Sequence, residues 1–325
     1  MKNFWLKLKK PIFCLAPMAD VTDAAFRFLI AKYGKFTHPD GTVLGGPDVM
    51  WTEFVSADGL CSAGKKNLLI DLKYSERERP IVAQIFGATP QNFYQAAKLL
   101  KKLGFDGIDI NMGCPDKSVE KQGAGAALIK NPKLAQEIIL ATKEGSGGLP
   151  VSVKTRIGYN INIIEEWTEA LLRAKPAAIT FHLRTRKEMS EVPAHWDEIT
   201  KALALAKGSS TLILGNGDIE NLAQAQEKVD EYGVDGVMIG RGIFGNPWLF
   251  AKSKQAVSLE KKLKAMLEHA KLFEKKFKNK KNFLIMRKHM GAYIKGHDNI
   301  KKLRVALMQT TNAREVERAI KTFLS

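Results

Sequence analysis

The sequence predicts an α/β protein, a (β/α)8 barrel followed by a small C-terminal helical domain. Three observations carry the expectation. Eight short apolar runs with strand character alternate with helix-period segments over roughly the first 250 residues. The first run ends in Ala16-Pro17-Met18-Ala19, where a doubly wound nucleotide-binding sheet would place a glycine-rich turn. Beyond Phe250 the strand pattern stops and only helical patterns remain.

In chain order the strand candidates are Ile12–Pro17, Val49–Val55, Ile81–Phe86, Gly107–Asn111, Val151–Thr155, Ala178–His182, Leu212–Gly215 and Gly236–Gly240. Each is short and mostly apolar, as expected of strands buried on both faces. The stretches Asp23–Tyr33, Gln91–Leu103, Pro132–Thr142, Ile163–Ala174, Trp196–Ala206 and Ile219–Glu231 repeat apolar residues at helical spacing. Gly34–Pro47 is rich in Gly, Pro and polar residues and reads as a loop insertion before the second strand. Leu259–Phe277, Phe283–Gly296, Lys301–Gln309 and Arg314–Leu324 read as helices broken by Asn, Gly and Asp. The expected division is therefore a barrel over residues 1–250 and a helical domain over 251–325.

A hydrophobic content of 45% with 26% charged residues suits a soluble globular chain of 325 residues. Three cysteines are too few for a disulfide framework, which points to a reducing, cytoplasmic setting. No apolar run reaches the length of a membrane span. Ile12 to Met18 is too short to serve as a signal core. The net charge of +17 is unevenly spread. Residues 251–325 hold 20 Lys/Arg against 6 Asp/Glu, whereas the first 250 hold 31 against 28. A nearly neutral body with a basic tail is the footprint of a polyanion binder. A solvated Lys-rich face is the competing reading.

Cys114 lies in Asn111-Met112-Gly113-Cys114-Pro115, directly after Gly107-Ile108-Asp109-Ile110. A lone thiol is thus set at a strand's C-terminal tip, where parallel α/β proteins bind ligands. A small Cys closing a tight turn is the plainer reading. Gln84, Lys154 and His182 lie near the ends of otherwise apolar strands. Burying such groups without partners is costly, so they mark either a satisfied core network or a site. Their matching positions on three strands favour a site. Two late turns, Asn216-Gly217-Asp218 after the seventh strand and Gly240-Arg241-Gly242 after the eighth, occupy the usual phosphate position of barrels. Arg241 adds a fork suited to phosphate oxygens.

Together, Leu15-Ala16-Pro17-Met18-Ala19-Asp20-Val21-Thr22-Asp23, Gln84-Ile85-Phe86-Gly87, Ile110-Asn111-Met112-Gly113-Cys114-Pro115, Gly123-Ala124-Gly125-Ala126, Lys154-Thr155-Arg156-Ile157-Gly158, His182-Leu183-Arg184-Thr185, Asn216-Gly217-Asp218 and Gly240-Arg241-Gly242 resemble, in order, the motifs of the tRNA-dihydrouridine synthase family. The resemblance implies an enzyme that uses FMN, with NADPH or NADH as reductant, to reduce the C5=C6 bond of selected uridines in tRNA. It implies Pro17, Met18 and Ala19 behind the isoalloxazine, and Gln84, Lys154 and His182 around its pyrimidine edge. It implies the phosphate on Asn216, Gly217, Asp218, Gly240 and Arg241. Cys114 is the implied acid, protonating C5 as hydride reaches C6 from flavin N5. Asn111 is implied to contact the target base, with Arg184, Arg287 and Lys288 also on the substrate side. The implied partner is tRNA, with no membrane and no protein partner evident.

The residue types suit that chemistry. The acid must be a neutral thiol rather than an activated thiolate. An enclosed lysine suits the negative charge of a reduced flavin ring. The basic run Lys275, Lys276, Lys278, Lys280 and Lys281 suits a phosphate backbone. One segment departs from the family: Ser190-Glu191-Val192-Pro193-Ala194-His195-Trp196 stands where an aromatic residue, a Gly and Ala-Asp-Trp are usual. Two alternatives stay open here, a dihydroorotate-dehydrogenase-like flavoprotein acting on a free pyrimidine and a tRNA-binding or chaperone protein with secondary catalysis. No His, Cys and carboxylate spacing indicates a metal.

Overall fold

In a computed structural model, residues 3–37, 43–251, 257–297 and 300–325 are described. Eight parallel strands carry the larger of two compact units, residues 1–18 with 48–240. They are β1 (Ile12–Leu15), β2 (Met50–Trp51), β3 (Ile81–Phe86), β4 (Gly107–Met112), β5 (Val151–Arg156), β6 (Ala178–His182), β7 (Leu212–Asn216) and β8 (Gly236–Ile239). Hydrogen-bonded neighbours run β2-β3-β4-β5-β6-β7-β8-β1. A parallel bridge from Cys14 to Val49 returns β1 to the start of β2, so the barrel is nearly closed.

Side chains two apart on a strand share a face, and register lines them up across the barrel. Near the strand starts the interior is apolar: Cys14, Val49, Trp51, Val82, Ala178, Leu212 and Leu214 cluster with Trp5. Trp5 is delivered by a short 3-10 turn, Phe4–Lys7, whose Trp5 N–H is capped by the Asn3 side chain. Further along, the same alternation turns polar. Gln84 pairs in register with Asp109 and Asp109 with Ser152. Asn111 pairs with Lys154, and His182 with both Arg156 and Asn216. An apolar floor and a polar mouth thus follow from one period-2 pattern.

The barrel helices are Pro90–Lys102, Pro132–Ser146, Ile164–Arg173, Ile199–Ala206 and Leu222–Tyr232. The last starts later than the Ile219 expected from periodicity, because the Asn221 side chain caps it through the Gln224 N–H. The second runs past Thr142 until Gly147 takes a left-handed conformation at φ 54°. Trp196–Glu198 is a 3-10 turn leading into its helix.

The second unit comprises residues 19–47 and 241–325, so the compact units do not follow a cut at residue 250. It holds the helices Ala24–Tyr33, Leu259–Phe277, Met286–Tyr293, Lys301–Gln309 and Ala313–Leu324. The expected loop over Gly34–Pro47 is in fact a ribbon: Lys35–Thr37 pairs antiparallel with Val43–Gly45. Residues 38–42 of that segment lie outside the described residues. The ribbon is anchored where Gly45, at φ +79°, comes so close to Gly34 O that a Cβ would sit 2.5 Å from it.

His269 and His289 are fully buried in this unit, with ring centroids 4.6 Å apart, and Phe26 packs against both. None of their four ring nitrogens has a hydrogen-bond partner among the described residues. Burial therefore holds both imidazoles neutral, His289 at about 3 and His269 well below its ordinary value. Below the unfolded histidine value of about 6.5 the unfolded chain binds protons that the folded chain refuses. Stability then falls with decreasing pH by about 1.4 kcal/mol per pH unit per histidine. Urea unfolding between about pH 7 and 4 is expected to show that slope, and His269→Phe with His289→Phe to flatten it.

Candidate active site

The Cys114 turn is held from below by a chain of amides. Asn111 Oδ1 accepts from the backbone N–H groups of Gly113 (3.1 Å) and Cys114 (2.9 Å). Since that oxygen is committed, Nδ2 must face Gln84, and it donates to Gln84 Oε1 at 3.1 Å. The Gln84 amide in turn donates to Asp109 Oδ2 at 2.7 Å, and Ser152 Oγ donates to Asp109 Oδ1 at 2.5 Å. Burial raises the Asp109 carboxyl to about 6, opposed by the bonds from Ser152 and Gln84. The carbonyl of Cys114 accepts the Ala126 N–H at 3.0 Å, and a Cβ on Gly125 would lie 2.7 Å from that carbonyl. The Gly-Ala-Gly-Ala motif therefore packs directly against the thiol turn.

Cys114 is half-buried and free. Burial pushes its thiol above the ordinary value; the charges of Asp116 and Glu120 act the same way, while the Asp116 backbone N–H and Arg156 oppose them. The thiol is protonated near neutral pH. Lys154 donates to Asn216 Oδ1 at 3.1 Å, its only hydrogen-bond partner among the described residues. Asn216 Nδ2 donates to Met238 O at 2.8 Å, which fixes which end of the amide meets the lysine. Enclosure, helped by the Arg156 charge, lowers Lys154 to about 8.

His182 and Arg184 follow at the end of β6, between β5 and β7. Arg184 is 2% exposed; it donates Nε to Val192 O (2.6 Å), Nη1 to His182 Nε2 (3.1 Å) and Nη2 to Asp218. A guanidinium only donates, so His182 accepts at Nε2 and carries its ring proton on Nδ1. Asp218 also accepts the Ala194 N–H at 2.9 Å. The turn it belongs to is tight: Gly217 sits at φ +142° with a Cβ position 2.6 Å from Ala194 Cβ. Two residues earlier, on β7, a Cβ on Gly215 would lie 2.3 Å from the Trp196 ring. Gly215→Ala is expected to cost about 1–3 kcal/mol in urea unfolding, because Trp196 must shift.

The structure thus brings together Gln84, Asn111 and Cys114, then Lys154 with Asn216, then His182 with Arg184 and Asp218. Pro17, Met18 and Gly240 belong to the same unit. Ala19 and Arg241 are exposed and belong to the second unit, each adjoining Met18 or Gly240 in sequence. Arg287, half-buried, and Lys288, exposed, lie on the second unit's helix Met286–Tyr293. Three residues escaped the sequence reading: Asp109, Ser152 and Arg156. The acid in Gly107-Ile108-Asp109-Ile110 was a usable signal, since alternation places it on the face of Asn111.

Two features fit a flavin phosphate and ring. Gly240 has no positive φ, and a Cβ there would meet only Met18 Sδ at 3.7 Å and Ala16 Cβ at 3.8 Å, so the fold itself does not demand glycine. The missing side chain leaves a cradle at the tip of β8. Lys154 is an enclosed ammonium with one neutral partner, a donor set that suits an anionic ring edge. Among the described residues no group of three or more His, Cys, Asp or Glu is placed to hold a metal ion. No described helix is long and apolar enough to cross a membrane.

A half-buried thiol and a glycine cradle at the carboxyl ends of a parallel barrel define the class, a TIM-barrel protein with a candidate site at its mouth. Comparison with known proteins narrows it. The chain belongs to the dihydrouridine synthase family, whose sequence model matches residues 14–325. A probable tRNA-dihydrouridine synthase of Staphylococcus aureus (strain MRSA252) is 40% identical over 99% of this chain and 96% of its own length. A probable tRNA-dihydrouridine synthase 2 of Bacillus subtilis (strain 168) is 39% identical over 99% of this chain and 97% of its own. Among solved structures, a 2-naphthoyl-CoA reductase complex superposes with a TM-score of 0.54 at 14% identity, over 73% of this chain and 49% of that one. A histamine dehydrogenase from Rhizobium sp. 4-9 gives 0.51 at 12% identity, over 80% and 48%. These two share the barrel fold, and the chain spans about half of their length.

Proposed function

We propose that this chain reduces the C5=C6 bond of specific uridines in tRNA to 5,6-dihydrouridine, with FMN as resident cofactor and NADPH or NADH as reductant, in the cytoplasm. The observation that carries the reading is the Cys114 turn: a protonated thiol held by its own backbone at the barrel mouth, beside an amide network and an enclosed lysine. The family membership and the names of its relatives support the substrate.

In this reading the Gly240 cradle and the Asn216-Gly217-Asp218 turn hold the FMN phosphate, with Arg241 next in sequence, while Pro17, Met18 and Ala19 back the ring. The Asp218 carboxylate is engaged by Arg184 and Ala194, so its backbone rather than its side chain faces an anion. Lys154 would stabilise negative charge on a reduced flavin ring, and His182 stands by with Nε2 already committed to Arg184. Bound FMN supplies hydride. Cys114 Sγ holds the proton destined for C5 and remains a thiol until the base arrives. Asn111 Nδ2 has a second hydrogen, unused by its bond to Gln84, that suits a uracil carbonyl. Buried Gln84 orients that amide. Arg184, closed in by its partners, acts by holding His182 and Asp218 rather than by touching the base. A uridine reaches this mouth only after leaving its stack. The exposed lysines near residues 275–281, with Arg287 and Lys288, supply phosphate contacts.

The test is an anaerobic reaction of the purified protein with NADPH and unmodified tRNA transcript, read by mass spectrometry. A gain of two hydrogens at defined uridines is expected. NADPH consumption with both transcript and native tRNA left unchanged would move the substrate to a free pyrimidine.

A further inference from the structure

Arg156 has an unusual environment. It is 5% exposed, and each of its hydrogen bonds runs to a backbone carbonyl: Nε to Gly113 (2.9 Å), Nη1 to Thr185 (3.0 Å) and Nη1 to Met189 (2.8 Å). Among the described residues no carboxylate is bonded to it. A buried guanidinium without an anion is costly to the fold and calls for an anion from elsewhere. The nearby acids are already engaged. Glu120 is taken by Arg186, whose Nε lies 2.8 Å away. Glu188 accepts from the Thr185 N–H at 2.7 Å and pairs with His195 at 3.0 Å. Asp116 caps its own turn through the Ser118 N–H, and neighbouring Arg184 is bound to Asp218. The charges facing the sulfur are therefore Asp116 and Glu120, which oppose the thiolate, and Arg156 and Lys154, which favour it.

The carbonyl that Arg156 holds belongs to Gly113, the residue before the thiol. We propose that Arg156 is the positioning and charge-balancing residue of Cys114: its fork pins the Gly113–Cys114 turn to the Thr185–Met189 loop, and its charge stabilises the thiolate left when the Cys114 proton departs. The inference rests on the proposed reaction. In that step the S–H bond breaks and its electron pair stays on sulfur. The new C5–H bond uses the electron pair of the former C5=C6 bond, and C6 takes the hydride that the NAD(P)H-reduced cofactor would supply. Solvent then reprotonates the sulfur. The anion that Arg156 lacks among the described residues is thus the thiolate formed in that step.

The experiment is the pH profile of Cys114 alkylation by iodoacetamide, between about pH 6 and 10, on the FMN-loaded full chain. A Cys61→Ser background removes the exposed thiol, and Cys14 is fully buried. Arg156→Gln is expected to raise the midpoint by about one pH unit, a tenfold slower alkylation below it. Arg156→Lys keeps the charge but not the fork, so it should hold the midpoint within about 0.3 unit of the parent while slowing dihydrouridine formation about tenfold. An unshifted midpoint in the Gln variant overturns the proposal. So does a full-unit rise in the Lys variant, which decides alone if the Gln variant does not fold. The profile is read without tRNA, so a chain that forms no dihydrouridine refutes the reaction and not the thiol–guanidinium coupling.

Discussion

Cys114→Ala is expected to keep its FMN, to be reduced by NADPH at the parental rate, and to form dihydrouridine about 100- to 10,000-fold more slowly. That range is what a positioned general acid contributes. The loss should be clean because the backbone bonds that hold the turn do not involve sulfur, which takes part only through the Asp116 N–H. Asn111 Oδ1 grips the backbone N–H groups of residues 113 and 114, the Ala126 N–H grips the carbonyl of 114, and Arg156 grips that of 113. Alanine therefore inherits the same turn. Stopped-flow absorbance separates the two half-reactions: bleaching by NADPH unchanged, re-oxidation by tRNA nearly abolished. Full turnover on native tRNA would end the acid role for this cysteine.

The second large effect is expected on tRNA binding. Lys275, Lys278 and Lys280 are exposed, at the end of the helix Leu259–Phe277 and in the 3-10 turn that follows. Their neighbours Lys276 and Lys281 instead lie over the rings of Phe28 and Phe277, at 5.5 and 5.1 Å. Those two share in packing, so a clean test leaves them in place. Each phosphate contact releases about 0.7–0.9 of a counterion, so three contacts are worth about a hundredfold in affinity near 0.1 M salt. The triple change Lys275→Glu, Lys278→Glu, Lys280→Glu should weaken tRNA binding by at least that factor and flatten the salt dependence by two to three units of log–log slope. NADPH oxidation should not change. Equal affinities for parent and variant across several salt concentrations would remove this run from the recognition surface.

The barrel was legible because its cause is local. Strands buried on both faces need near-continuous apolar runs, and Ile81–Phe86 and Gly236–Ile239 announce themselves wherever they are read. Helix ends were less legible, since a single cap such as Asn221 overrides three residues of acceptable periodicity. The ribbon at Lys35–Thr37 and Val43–Gly45 was misread as a loop for a related reason. Its strands are three residues each, too short for a period to show.

The site divides in the same way. The sequence by itself determined which residue types stand at the strand tips: a thiol after Gly113, a lysine on β5, a histidine on β6 and glycines at Gly217 and Gly240. Only the tertiary structure decided what each of them does with its neighbours. Register across two strands ties Asp109 to Gln84 and Gln84 to Asn111, and a carbonyl from another loop turns Arg156 from a motif residue into the clamp on the thiol turn. Composition along a chain reports burial, which each residue undergoes separately. Hydrogen bonds and charge pairing join residues distant in sequence, such as Arg156 and Thr185, so they exist only once the barrel has closed.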